Sequence, residues 1–481
     1  VHTTASRPKP IVSSDGRGVV NHAGSRLLAD LADATGLTAS FTDALRRLRS
    51  RGTGHAPGRI AVDLAVMLAD GGETITDLAL LRDQREAFGP VASTPTAWRL
   101  LADIDATALA ALRTARAAAR EVAWLQAAET RTAIPAAQAG GRGLPSLVLD
   151  IDATLVTCHS EKEHAAATYK RGFGYHPILC FLDNTGEALA GLLRPGNAGA
   201  NTAADHIAVL DQALAQIPDA HRHGTDLLIR TDSAGGAKAF LHHIRALRSR
   251  GIHTFFSVGY PVTEPVRRAI RALPGHVWHP ALEQDGSLRT GAEAAELTGL
   301  VELEGYPDGT RIIVRRERPH PGAQLPLFDL DEGMRHQVFL TDTPYGQGSF
   351  QHLEVRHRAH ARVEDRICCG KTTGSGRFPS RHFAINQAWL EVSLTALDLL
   401  AWMGVAVLGV ALDRRHYAAS ALVVVWGRAA HSPRAAASRG CIARSSSSCT
   451  ATVSMNSASW SGSIGRVYMS AATSTRTCGT R

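Results

Sequence analysis

At 481 residues the chain is too long for one ordinary core, so two or more domains are expected, and a 44% hydrophobic content is enough to fill them. A formal net charge of +8 and a pI near 9.3 suit a polyanionic partner, nucleic acid first. Seven cysteines without a Cys-x-x-Cys spacing exclude a disulfide framework or a zinc ribbon. A polar N-terminus and the acids within the most apolar late stretch, Glu391 and Asp398, argue against a signal peptide or membrane span, so a soluble, cytoplasmic, nucleoid-associated protein is expected.

Residues 1–24, with Pro8 and Pro10, read as a flexible lead. Helical periodicity begins at Ser25 and resumes after Thr35 and Gly36. The second helix ends in Arg46, Arg47, Arg49 and Arg51, a pattern resembling a helix-turn-helix, although a helical hairpin with a solvated basic end fits equally. After helices over Ile60–Ala69 and Thr76–Leu81, an N-cap at Ser93 and a first-turn Pro95 open an amphipathic helix that places Thr96 and Arg99 toward DNA. Alanine-rich helix follows through Trp124 and ends at the Gly140-Gly-Arg-Gly linker. These features outline an all-α DNA-binding domain over 25–142.

The stretch Ser146–Cys158 has the aliphatic run of a buried strand, yet carries Asp150 and Asp152 in its middle. Acids two residues apart share a strand face, and a buried carboxylate is costly unless a cation or hydrogen-bond set compensates it, which is how a Mg²⁺ site starts. A hairpin is expected from Ile178–Leu182 and Ala188–Leu193 around Asp183-Asn-Thr-Gly. A helix over Thr202–Ile217, a strand Asp226–Asp232 ending in an acid, a helix Ala237–Leu247 and a strand His253–Val258 come next. The order β, β, β, α, β, α, β is that of an RNase H-like α/β core, first part 143–260. Residues 261–341 read as a β-rich insertion rather than a continuation of that sheet, and 342–412 as the completion of the core. From 413 to 481 the sequence turns rich in Ser, Thr, Ala and Arg, as if translated in a shifted frame or disordered.

The last chemistry-bearing stretch is Val355–Lys371. On one helix His357, His360, Glu364 and Lys371 share a face, while Arg358, Arg362 and Arg366 line a neighbouring stripe that reads as a phosphate track. Gly370 is expected to loosen that helix before Lys371. The spacing His357-x-x-His360 does not match the zincin arrangement. Asp152, Asp232 and Glu364, from three separate elements, provide oxygen ligands suited to two Mg²⁺ ions working on a phosphodiester.

With these residues in hand, the chain resembles a bacterial insertion-sequence DDE transposase with a β-rich insertion between the second Asp and the Glu, most like the family numbered thirteen-eighty. The resemblance is carried by Leu149–Val156, by Leu227–Gly236, and by His357–Ile367 followed by Lys371. The broader group's signature helix reads Tyr, Arg, Glu, Lys, and here His357 and His360 stand in the first two places. The resemblance implies Asp152, Asp232 and Glu364 as catalytic metal ligands for two Mg²⁺ ions, with Mn²⁺ as an alternative. It implies DNA contacts at the signature positions His357, His360 and Lys371, beside those read from helical spacing, Arg358, Arg362 and Arg366, and from the N-terminal helices, Arg46, Arg47 and Arg99. Double-stranded DNA with terminal inverted repeats, target DNA and a second copy in a synaptic homodimer are the implied partners. Trp278 or Tyr306 would stack on a flipped base, as in related transposases, unless both are ordinary core aromatics, the reading the sequence favours.

Two other readings stay open on sequence. Asp150-Ile-Asp-Ala-Thr-Leu also resembles the first motif of a haloacid-dehalogenase-type phosphatase, with Asp150 the nucleophile and Asp152 the acid/base, although the late strand supplies one acid where that fold needs two. A catalytically inactive DNA-binding relative is the other.

Overall fold

The computed structural model describes residues 7–8, 22–49, 54–130, 134–158, 161–199 and 202–405. Arg51, most of the expected lead and the whole of the 413–481 tail lie outside them.

Nine strands make one mixed sheet: β1 (Leu147–Ala153), β2 (Ile178–Leu182), β3 (Ala188–Leu192), β4 (Leu227–Thr231), β5 (Thr254–Tyr260), β6 (His279–Leu282), β7 (Leu288–Glu296), β8 (Arg311–Glu317) and β9 (Arg335–Thr341). Their spatial order is β6-β7-β8-β9-β5-β4-β1-β2-β3. β1, β2 and β3 are antiparallel neighbours, whereas β4 pairs parallel with β1 and β5 parallel with β4. The parallel steps use helical crossovers, α6 (Ala203–Leu214) before β4 and α7 (Lys238–Ala246) before β5. The helices before and after these strands are α1 (Ala23–Ala34), α2 (Leu37–Ala44), α3 (Pro57–Ala69), α4 (Thr94–Asp103), α5 (Ala106–Thr130), α8 (Glu264–Ala272), α9 (Phe350–Arg358), α10 (Arg362–Gly370) and α11 (Phe383–Met403).

Strand alternation decides what each face of the sheet receives. Leu147, Leu149 and Ile151 of β1, with Leu227 and Ile229 of β4, join an apolar cluster against Val209, Leu210, Phe240 and Ile244 of α6 and α7. The other parity, Val148, Asp150 and Asp152 on β1 and Leu228 and Arg230 on β4, belongs to the opposite face, which α10 covers. A strand buried from both sides is why β1 reads as a near-continuous apolar run interrupted only by its acids.

The β-rich segment is not a separate sheet. β9 pairs antiparallel with β5 from Ser257↔Thr341 to Tyr260↔Val338, and β8, β7 and β6 follow outward. The open edge of β5 supplied the hydrogen-bonding groups that the added strands satisfy, an outcome that local sequence patterns do not encode.

The N-terminal helices are likewise not an independent bundle. α1 to α5 share one core with α11 and with Leu179, Phe181 and Ala188 of the sheet. α11 is buried almost all round, as its apolar sequence from Ile385 to Trp402 requires. The helix-turn-helix reading of 25–49 gives way to packing: α2 lies against α3 and α5 and buries Leu37, Thr38 and Phe41. Arg7, within the expected free lead, is buried and pairs with Asp63 at 2.9 Å. Arg46 pairs with Asp43 at 2.6 Å, and Arg47 with Asp105.

At the interface of these helices with the sheet sits a closed charge cluster. Arg120 of α5 donates Nε to Glu187 at 3.0 Å and also binds Asp398 of α11. Arg116 reaches Glu391 at 3.2 Å and Asp398 at 3.4 Å, and Arg113 bonds Glu391 at 3.0 Å. The indole of Trp124 donates to Glu187 at 3.0 Å.

Candidate active site

Asp152 and Asp232 come together through sheet register. Asp150 is level with Arg230 and Ile151 with Thr231 across the parallel β1–β4 pair, so one further step sets Asp152 beside Asp232. Asp232 leaves the strand in an extended conformation and caps the 3₁₀ turn Ser233–Gly235, its Oδ1 accepting from the Ala234 N–H at 2.9 Å. Glu364 arrives from α10, which packs across β1 and β2 on the same face. Glu364 and Asp232 are exposed and Asp152 is half-buried, so the acids open toward solvent.

The three acids act on one another electrostatically. Burial pushes the Asp152 carboxyl up to about 6; the charges of Asp232 and Glu364 push the same way, against the pull of His360 and a backbone N–H from Ala153. Lys371 follows at the end of α10, where the helix loosens into a π-type turn over Lys371–Ser375. Partial burial lowers its pKa, as does the nearby Lys170, while Cys368 and Asp152 oppose that shift.

One step deeper along each element lies a second set of polar side chains. Asp150 is fully buried and receives both arms of the Arg230 guanidinium, Nε to Oδ1 and Nη2 to Oδ2, each at 2.7 Å. The same Oδ1 bonds Nδ1 of His360 at 2.8 Å. Asp183, from the β2–β3 turn, accepts from Arg230 at 2.9 Å and from Arg362 and Arg366 at 3.0 Å. Although burial opposes it, these three guanidinium groups hold the Asp183 carboxyl well below the usual carboxylate range, and Asp150 and Asp183 hold Arg230 above its ordinary value.

This arrangement corrects several expectations. Asp150 is not an exposed nucleophile, because Arg230 and His360 occupy its oxygens and no surface remains, so the phosphatase role fails. His357 is not an open DNA contact: it stacks flat on Phe339, with ring centroids 4.4 Å apart, and bonds the Ser257 hydroxyl at 3.0 Å. Burial, with the charges of His360 and Arg230, holds its pKa well below the ordinary value, so the ring is neutral at pH 7. His360 is buried against Asp150. Arg358 binds Glu354 at 3.0 Å, and Arg362 also bonds the Gln138 carbonyl at 2.7 Å. The arginine stripe is thus committed to acceptors of its own chain rather than laid out as a free phosphate track. Trp278 is a core residue, 6% exposed, with the Arg316 guanidinium 4.0 Å above its ring; Tyr306 is half-buried beside Tyr260. Arg99 stays exposed, its Nε donating to the Pro95 carbonyl at 3.2 Å. The helix expected to run unbroken from Val355 is α9 and α10 joined by a 3₁₀ turn, Ala359–Ala361.

Arg230 and Asp183 were absent from the sequence-based site. A signal for Arg230 existed: like Asp150, it is a charged residue two places before an acid in an otherwise aliphatic strand. Asp183 carried none, since an Asp in a hairpin turn needs no further explanation.

The three carboxylates are hard oxygen donors, and a divalent cation would offset both the burial that raises the Asp152 pKa and the lesser repulsion from Asp232 and Glu364, so by chemistry they fit Mg²⁺ or Mn²⁺. Among the described residues no group of three or more His, Cys, Asp or Glu is gathered tightly enough to hold a metal ion. Nor is any helix among them long and apolar enough to cross a membrane.

Comparison with known proteins places the chain as follows. Residues 3–417 match the family described as transposase DDE domain group 1. Among curated proteins none matches. Of solved structures, the chain is similar to the one titled "Cryo-EM structure of piggyBac transposase synaptic complex with hairpin DNA", at 10% identity and a TM-score of 0.39, covering 87% of this chain and 82% of that one.

Proposed function

This chain belongs to the transposase DDE domain group 1 family, and on that premise we propose that Asp152, Asp232 and Glu364 are its catalytic carboxylates in DNA strand cleavage and strand transfer. The observation that carries the reading is the placement of Asp152 and Asp232 at the same ends of adjacent parallel strands, with Glu364 on a helix covering that face. Three antiparallel strands followed by two parallel ones, in the order β3-β2-β1-β4-β5, support an RNase H-like core.

The residues divide the work. Asp152, Asp232 and Glu364 would hold Mg²⁺ or Mn²⁺, two ions in the full reading; when bound, the metal supplies activation of the attacking oxygen and charge relief at the leaving one. Lys371, exposed and close in charge to Asp152, is suited to bind a backbone phosphate. The substrate is duplex DNA with terminal inverted repeats, joined to target DNA by a synaptic homodimer in cut-and-paste transposition. An insertion sequence of the thirteen-eighty type, working at the nucleoid in the bacterial cytoplasm, is the finer assignment.

The test is cleavage, by purified protein with Mg²⁺ or Mn²⁺, of DNA carrying the sequences that flank the coding region. Asp152→Asn, Asp232→Asn and Glu364→Gln should each lower the rate on the order of 10³-fold or more. Cleavage that survives Asp232→Asn sinks the assignment, and binding without cleavage by the unaltered protein marks an inactive relative.

A further inference from the structure

Each of the three acids has a polar residue a short way before it in the chain: Asp150 two residues before Asp152 on β1, Arg230 on β4 two before Asp232, and His360, in the 3₁₀ turn Ala359–Ala361, four before Glu364 of α10. Two residues is the repeat of one strand face, so Asp150 and Arg230 share the face of Asp152 and Asp232, and His360 meets that face through its bond to Asp150. These three also bond to one another. Arg230 forks onto Asp150 at 2.7 Å and 2.7 Å, and His360 Nδ1 meets Asp150 Oδ1 at 2.8 Å. Arg230 further donates to the carbonyl of Arg356 at 2.8 Å, near the end of α9, so the strand pair and the helical segment are tied at two points.

We propose that Asp150, Arg230 and His360 form a positioning layer that fixes the spacing of Asp152, Asp232 and Glu364 for a divalent cation. The proposal rests on the assignment of those acids made above. Arg230 sets the register between β1 and β4. His360 sets the height of the helix that bears Glu364 over β1. Because Asp150 accepts both arms of Arg230, its Oδ1 also receives the Nδ1 proton of His360, and this leaves Nε2 facing away from Asp150. Nε2 is buried and has no hydrogen-bond partner among the described residues. A layer of this kind turns three side chains from distant parts of the sequence into one rigid set, as the outer shell of a metal site does.

The test is Mn²⁺ binding to the full chain, followed by electron paramagnetic resonance, with circular dichroism and thermal melting to establish that each variant folds. His360→Phe, which lacks any donor, and Arg230→Lys, which keeps the charge and loses the fork, should each bind Mn²⁺ about 10-fold or more weakly. His360→Asn keeps a donor near the Nδ1 position and should bind within about threefold of the unaltered protein, a rescue that general loosening of the core would not give. Folded His360→Phe and Arg230→Lys that bind like the unaltered protein overturn the proposal, as does His360→Asn binding as weakly as His360→Phe. Should His360→Phe not fold, Arg230→Lys decides by the same criterion. Asp152→Asn separates this proposal from its premise. Its loss of Mn²⁺ binding upholds the acids whatever the layer does, and unchanged binding removes their role and the layer's with it.

Discussion

Two buried charge clusters flank the β2–β3 turn, and they differ in closure. Beside α5 and α11, Arg113, Arg116 and Arg120 face Glu187, Glu391 and Asp398, three charges against three. Beneath the acids, Arg230, Arg362 and Arg366 face only Asp150 and Asp183. Among these groups one guanidinium charge is left over, on the sheet face that also carries Asp152. The first cluster answers its own charge and so acts as scaffold. The second leaves an excess that the acids above it partly answer, with one imidazole nitrogen still open. Balance inside a buried network therefore separates a scaffold from a platform for chemistry better than the number of ion pairs does.

The contrast is broken most severely at Arg120. Arg120→Ala leaves Glu187 and Asp398 without their main partner and should cost about 3–5 kcal/mol, read by urea denaturation. A loss below about 1 kcal/mol would show that the closed cluster does not hold the helices to the sheet. Asp183→Ala acts on the open cluster and should cost about 3 kcal/mol by the same measurement, since Arg230 keeps Asp150 and Arg362 keeps the Gln138 carbonyl. It should also weaken Mn²⁺ binding, which no folded variant of the closed cluster should do.

A smaller effect of opposite sign is expected at Asp152. Its carboxyl titrates at about 6 in the folded chain, above the ordinary value, so its contribution to stability is complete below about pH 4 and is lost as the pH rises through 6. Asp152→Asn should therefore match the unaltered protein near pH 4 and be more stable at pH 7, by on the order of 1–3 kcal/mol. Melting curves across that range check it, and a gap that narrows with rising pH would contradict the placement of the three acids. Smallest of all, Arg46→Ala removes an exposed pair with Asp43 and should change stability by less than about 0.5 kcal/mol.

Much of the sheet was legible in the chain. β1 and β4 announce themselves by aliphatic runs ending in acids, and the β2–β3 hairpin by its Asp183-Asn-Thr-Gly turn. Local periodicity also singles out Asp152, Asp232 and Glu364, the acids for which a catalytic role is proposed. What escaped depends on partners far away in sequence. Asp150 looks like Asp152 until Arg230 is placed level with it, and Arg362 and Arg366 look like solvent-facing cations until Asp183 is found beneath them. Trp278 is an aromatic in a Pro- and Gly-punctuated segment, and only the joining of β6–β9 to β5 puts it in a core. The shared core of α1 to α5 with α11 and the sheet was likewise not legible, since an amphipathic helix does not say which apolar surface it will meet.

The bond between Arg120 and Asp398 spans 278 residues of chain. During synthesis α5 leaves the ribosome with its arginines unanswered, and all nine strands, with Glu187 beside them, are made before α11 supplies Asp398 and Glu391. Closure of this cluster is consequently a late event in folding, and until then the apolar flank of α1 to α5 stands uncovered. The wait for α11 thus opens an interval in which apolar surface is exposed, and a holdase that shields the first 130 residues would act during it.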